Sequence, residues 1–139
     1  MAKSCRQGGF TLIEFIVIVV IIGLVVAITI TRLLNRQDRI RVDAAKKDVS
    51  AMITALKEFE KCYATYNLEL EHNVACTITS YPHFRSKLVD TAGHPYIVPD
   101  TANFTNFIYI GNDTTFTITV EAKDRKKTKI TGTPEKISQ

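Results

Sequence analysis

From Phe10 to Thr31 the chain runs for 22 residues with one charged side chain, Glu14. An apolar stretch of about 20 residues is what a helix needs to cross a bilayer, so this segment constrains the fold more than any other feature. Beyond Thr31 nothing stops the helix: there is no proline before Pro82 and no glycine between Gly23 and Gly93. A helix from Phe10 to about Lys61 would be roughly 80 Å long at about 1.5 Å per residue, far longer than a small domain is wide. Its first half is expected to extend beyond whatever domain the remaining residues form. The 139 residues leave room for one modest globular domain and exclude a large multidomain enzyme.

The N-terminus reverses the order of a secretory signal, in which the apolar stretch precedes the small-residue cleavage site. Lys3 and Arg6 lie in a short polar leader, Gly8 and Gly9 follow, and only then does the apolar segment begin. A cut at the glycines would leave the membrane helix on the mature protein. The run Gly9, Phe10, Thr11, Leu12, Ile13 and Glu14, behind a basic leader and ahead of an unbroken apolar helix, resembles the signature of type IV pilins and type II secretion pseudopilins. The resemblance implies cleavage after Gly9 by prepilin peptidase and methylation of Phe10. It implies further that residues 1–9 are a leader, 10–31 the membrane and filament-core half of the helix, and 32–139 a periplasmic or extracellular domain. Cys5 would leave with the leader.

A carboxylate inside a spanning helix is costly and needs a partner. Before cleavage Phe10 offers only a peptide nitrogen, whereas afterwards it carries a cationic α-amine. In the resembled family this glutamate is thought to pair with the N-terminal amine of a neighbouring subunit, which here assigns assembly to Glu14 and Phe10. A pair within one chain is the competing arrangement, since the two residues are one helical turn apart. Counting charges gives the opposite topology to the leader motif: Arg32, Arg36, Arg39 and Arg41 outnumber Lys3 and Arg6. The motif takes precedence, because a prepilin peptidase site faces the cytoplasm.

Past the apolar segment, Ala45, Val49, Met52, Leu56 and Phe59 recur at steps of four and three, with Lys46, Lys47, Asp48, Lys57 and Glu58 expected largely elsewhere. One face therefore wants a core. Thr31 stands where many relatives carry a proline, so loosening of the helix between Gly23 and Thr31 rests on Gly23 and weak helix formers alone. Residues 67–105 read as a connecting loop punctuated by Pro82, Gly93, Pro95 and Pro99. Strands follow at Phe107–Ile110, Thr115–Ala122 and Thr128–Thr133. In the second, Phe116, Ile118, Val120 and Ala122 alternate with Thr115, Thr117, Thr119 and Glu121. The expected class is α+β, one long helix on a small antiparallel meander of three or four strands. The spacing of Asp90, Gly93, Pro95 and Tyr96 also resembles a segment of major pseudopilins and of some pilins, although a plain turn at Gly93 reads the same way.

Cys62 and Cys76 would close a loop of about 15 residues, worth roughly 3 kcal/mol in the chain-entropy model. Free thiols or a metal site are the alternatives, and no histidine stands in zinc-ligand register with them; His72 is isolated. The disulfide is the favoured reading, suited to an oxidising compartment. His83, Asp90 and His94 match no ligand spacing, and neither a nucleophile with its base nor a phosphate loop is evident, so no catalytic residue, metal or cofactor is expected. Lys123, Arg125, Lys126, Lys127 and Lys129 could bind DNA or an acidic surface, as in some competence pilins. A charged hairpin tip explains the run as well. The function expected is a structural type IV pilin subunit of the bacterial inner membrane, its partners being prepilin peptidase, copies of itself and an assembly platform with a cytoplasmic ATPase. The missing acidic C-terminal stretch of calcium-binding major pseudopilins favours a pilus. A secretion pseudopilin and a DNA-uptake pilin are the alternatives.

Overall fold

The computed structural model of the protein describes residues 10–71, 74–99 and 103–139. Helix α1 runs from Leu12 to Tyr63, 52 residues without interruption. It ends where Ala64 turns left-handed, at φ 54°, while its amide still bonds to the Glu60 carbonyl at 2.7 Å. The chain divides into two compact units, residues 1–36 and 37–139.

In the first unit the apolar side chains from Leu12 to Leu33 lie on the exposed surface of α1, and the stretch is long and apolar enough to cross a membrane. Two hydroxyls in it are satisfied along the helix. Thr29 donates to the Val25 carbonyl at 2.8 Å and Thr31 to that of Ala27 at 3.0 Å, so neither is left to seek a partner in an apolar medium. The segment from Gly23 to Thr31 is fully helical here.

In the second unit the predicted stripe is the core face. Ala45, Val49, Met52, Leu56 and Phe59 are buried, joined by Val42 and Ala55. Asp48 is buried as well, contrary to the expectation that it faces away. Its carboxylate accepts from the Asn103 backbone amide at 2.9 Å and from the Asn103 side chain at 3.0 Å, and this pairing offsets the cost of burial.

The face packs on five antiparallel strands in sequential order: β1 Cys76–Ile78, β2 Phe104–Gly111, β3 Phe116–Ala122, β4 Lys129–Gly132 and β5 Ile137–Ser138. Alternation holds along β3, where Phe116, Ile118, Val120 and Ala122 point into the core. In β2 the register shifts between Thr105 and Ile108, and Asn106 takes φ 49°. This bulge lets both Phe104 and Phe107, three apart, face inward. At Gly132 the sheet comes close to the helix. A Cβ there would stand 2.6 Å from Val49 Cγ1 and 3.0 Å from Ile53 Cδ1.

Two expectations need correcting. The meander has five strands instead of three or four, because β1 and β5 are too short to show alternation. Residues 67–105 also hold more than loop. Helix α2 occupies Tyr81–Lys87, and Pro82, read as a turn residue, instead occupies its first turn, where a missing N–H costs nothing. Phe84 of α2 is buried against Phe107 and Tyr109, with ring centroids 5.0 and 5.1 Å away.

Candidate assembly site

At the head of α1, Glu14 reaches back over the first turn. Its Oε2 accepts from the Thr11 backbone amide at 2.8 Å and from the Thr11 hydroxyl at 2.8 Å, and the Glu14 amide donates to Thr11 Oγ1 at 3.3 Å. This is a capping box, in which two orphan backbone donors are satisfied reciprocally. Its signal, threonine followed three residues later by glutamate, stands in the sequence beside the Phe10 pairing expected from the resemblance. The carboxylate therefore has a partner within the uncleaved chain, and that partner is Thr11. Phe10 lies on the same side of the helix; with Ile13, Val17 and Ile18 it lines an apolar groove around Glu14. Phe10 is 69% exposed. Gly9 and the leader lie outside the described residues.

The basic run falls on the turn between β3 and β4, and the turn is built around Asp124. Burial alone would raise the Asp124 carboxyl, but the Thr128 hydroxyl at 2.6 Å and the Thr128 amide at 2.7 Å outweigh it and hold the group below its usual range. Two contacts tie this hairpin to α1. The Arg125 side chain pairs with Asp38, Nε to Oδ2 at 2.7 Å, and Arg41 donates to the Lys123 carbonyl at 3.0 Å. In sequence Arg125 belongs to a run that reads as solvated or nucleic-acid-binding; in the structure it clamps the hairpin to α1. Lys123, Lys126, Lys127 and Lys129 are exposed.

Cys62 and Cys76 are both free thiols, so the expected bridge is not formed. Cys62 is exposed near the end of α1, and the Tyr96 hydroxyl donates to its sulfur at 3.3 Å. Cys76 is buried at the start of β1. The hydrogen bond to Cys62, with burial second, pushes the Tyr96 phenol up to about 12. The end of α1 is joined to the sheet by other means. Tyr109 donates to the Tyr66 carbonyl, Thr65 donates to Asp113 at 2.8 Å, and the buried Asn67 donates to the Val74 carbonyl at 2.8 Å and accepts from the Glu69 amide at 2.9 Å. Of the histidine and aspartate residues weighed for a metal, Asp90 and His94 come together at 3.2 Å and His83 sits on α2. Asp90 also accepts from the His94 and Ala92 amides, each at 2.8 Å, closing the turn at Gly93, whose φ is 85°. His72 lies outside the described residues.

Residues 4–30 match the family described as the prokaryotic N-terminal methylation motif. The chain carries a prepilin-type N-terminus. Over 55 residues it is 40% identical to type II secretion system core protein G of Pseudomonas aeruginosa, an overlap covering 40% of this chain and 39% of that protein. Over 54 residues it is 43% identical to type IV major pilin protein PilA of Myxococcus xanthus, covering 39% and 24%. Over 110 residues it is 27% identical to type II secretion system core protein G of Escherichia coli, covering 79% and 66%. The chain thus spans less than two thirds of the length of each of these relatives. No solved structure matches it significantly. The relatives of this prepilin-type chain are a pilin and secretion-system core proteins, the two branches of the resemblance drawn from Gly9 to Glu14.

Proposed function

We propose that this chain is a structural subunit of a type IV-like filament. It enters the bacterial inner membrane with its N-terminus cytoplasmic, loses residues 1–9 to prepilin peptidase, and is methylated at Phe10. An inner-membrane platform driven by a cytoplasmic ATPase then draws it into a helical fibre. The observation that supports this reading is the head of α1: a membrane-length apolar helix with its side chains on the surface and one carboxylate, Glu14, on its first turn. In a fibre that surface exchanges lipid for the same surface of its neighbours, and Glu14 becomes a counter-charge for the Phe10 amine that cleavage creates.

Between the two finer readings, the reach of the similarity favours the secretion pseudopilus over the pilus. An overlap covering 79% of the chain necessarily reaches the sheet, and it is with a type II secretion core protein. The overlap with the pilin, 54 residues, is too short to hold both α1 and the sheet. Mass spectrometry of assembled protein is expected to find a chain beginning at methylated Phe10; an intact Met1 would overturn the reading. A deletion strain is expected to lose secreted enzymes and keep its surface fibres, whereas loss of the fibres alone would assign the chain to a pilus.

A further inference from the structure

The hairpin clamp places basic side chains at one end of the second unit. Asp38 and Arg41, which hold the hairpin, follow the last residue of the apolar stretch, Thr31, by seven and ten positions. Seven residues cannot span more than about 25 Å. The hairpin's anchor points on α1 are therefore only seven and ten residues along the chain from the apolar stretch, even though the hairpin comes from the far end of the sequence. The acidic groups nearby are largely spent: Asp38 is paired with Arg125, and Asp124 is buried under Thr128. Asp43 is the exposed acid on the adjoining turn of α1. Against it stand Arg39, Arg41, Lys126 and Lys127, all exposed. Ile40, 58% exposed, lines a groove with Arg41, Ala44, Asn103 and Lys123. An apolar side chain beside clustered cations is the composition of a surface that sits at a lipid interface.

We propose that the β3–β4 hairpin and the turn of α1 it grips form a surface that binds the headgroups of anionic phospholipid in the membrane that holds α1. The proposal rests on the reading of α1 as a membrane span. It assigns a role to the arginines that oppose the usual charge topology: they and the hairpin lysines hold the second unit down on the leaflet until the subunit is withdrawn into a fibre. The Asp38–Arg125 pair is the positioning element, because it fixes where the lysines stand without itself touching lipid.

The test uses the full chain in nanodiscs of phosphatidylcholine alone or mixed with phosphatidylglycerol, with amine-reactive labelling read lysine by lysine by mass spectrometry. Lys126 and Lys127 are expected to label about fivefold more slowly in the anionic discs, the factor to which about 1 kcal/mol per basic residue near such a surface corresponds. Raised salt should abolish the difference, and Lys57, far along α1, should label alike in both discs. Asp38→Asn, and independently Arg125→Gln, should restore fast labelling at Lys126 and Lys127 although both lysines remain. Equal labelling in the two discs, with α1 protected from protease, would overturn the proposal and leave the membrane reading intact. An α1 open to protease would overturn both. Protection of the same lysines by duplex DNA in phosphatidylcholine discs, as strong as that from phosphatidylglycerol, would overturn the lipid assignment in favour of nucleic acid.

Discussion

Cys62 and Cys76 lie fourteen positions apart in sequence, and their surroundings give them different chemistry. Cys62 is exposed and accepts from Tyr96, whereas Cys76 is buried in the sheet. A maleimide added to native protein is expected to modify Cys62 readily and Cys76 only on unfolding, with the sites assigned by peptide mapping. A linked Cys62–Cys76 peptide under non-reducing conditions would contradict that outcome. Spacing supplied loop length but not surroundings, and it did not show that one thiol is exposed and the other buried. The same limit hid Asn67. As a letter it is a turn residue; in place it is buried and holds together the backbone of the loop that follows α1. Thr11 differs, because the capping box is local and its two residues are three apart in the sequence. It is legible in the sequence alone.

At the scale of elements, what repeats is what could be read. The core face of α1 and the inward residues of β3 follow from periods of 3.6 and 2, and the structure buries each one named. Elements no longer than about two periods left no such signature. Strand β1 has three residues and β5 two, and α2 is a single seven-residue helix whose proline mimics a turn. The bulge in β2 was unreadable for a related reason: Phe104 and Phe107 break strict alternation, and only the register shift at Asn106 reconciles them. Where the elements meet, Gly132 sets how closely β4 approaches α1. Gly132→Ala places a methyl against Val49, a fully buried β-branched side chain with little room to turn. The expected cost is about 1 to 3 kcal/mol, the usual penalty of overpacking, read as a lowered midpoint in thermal unfolding of detergent-solubilised protein. An unchanged midpoint would mean that the helix lifts off the sheet without cost.

For the molecule as a whole, the capping box allows the capping that Glu14 performs to be separated from the assembly role proposed for it. Glu14→Leu is expected to abolish or sharply reduce fibre assembly while membrane insertion and leader cleavage continue, because each Phe10 ammonium is left without a counter-charge. Thr11→Val keeps the carboxylate and removes the capping hydroxyl, at a cost of about 1 kcal/mol to the helix start. Fibre yield from that variant should stay near normal by electron microscopy. Equal loss in both would trace the defect to the helix start and not to the charge. The sheet matters to the same assembly for the opposite reason. Its two margins are a strand of three residues and a strand of two. Margins so brief offer few unpaired backbone groups for another chain to copy. On the filament reading proposed above, a chain meant to polymerise through its helix is thereby guarded against polymerising by accident through its sheet.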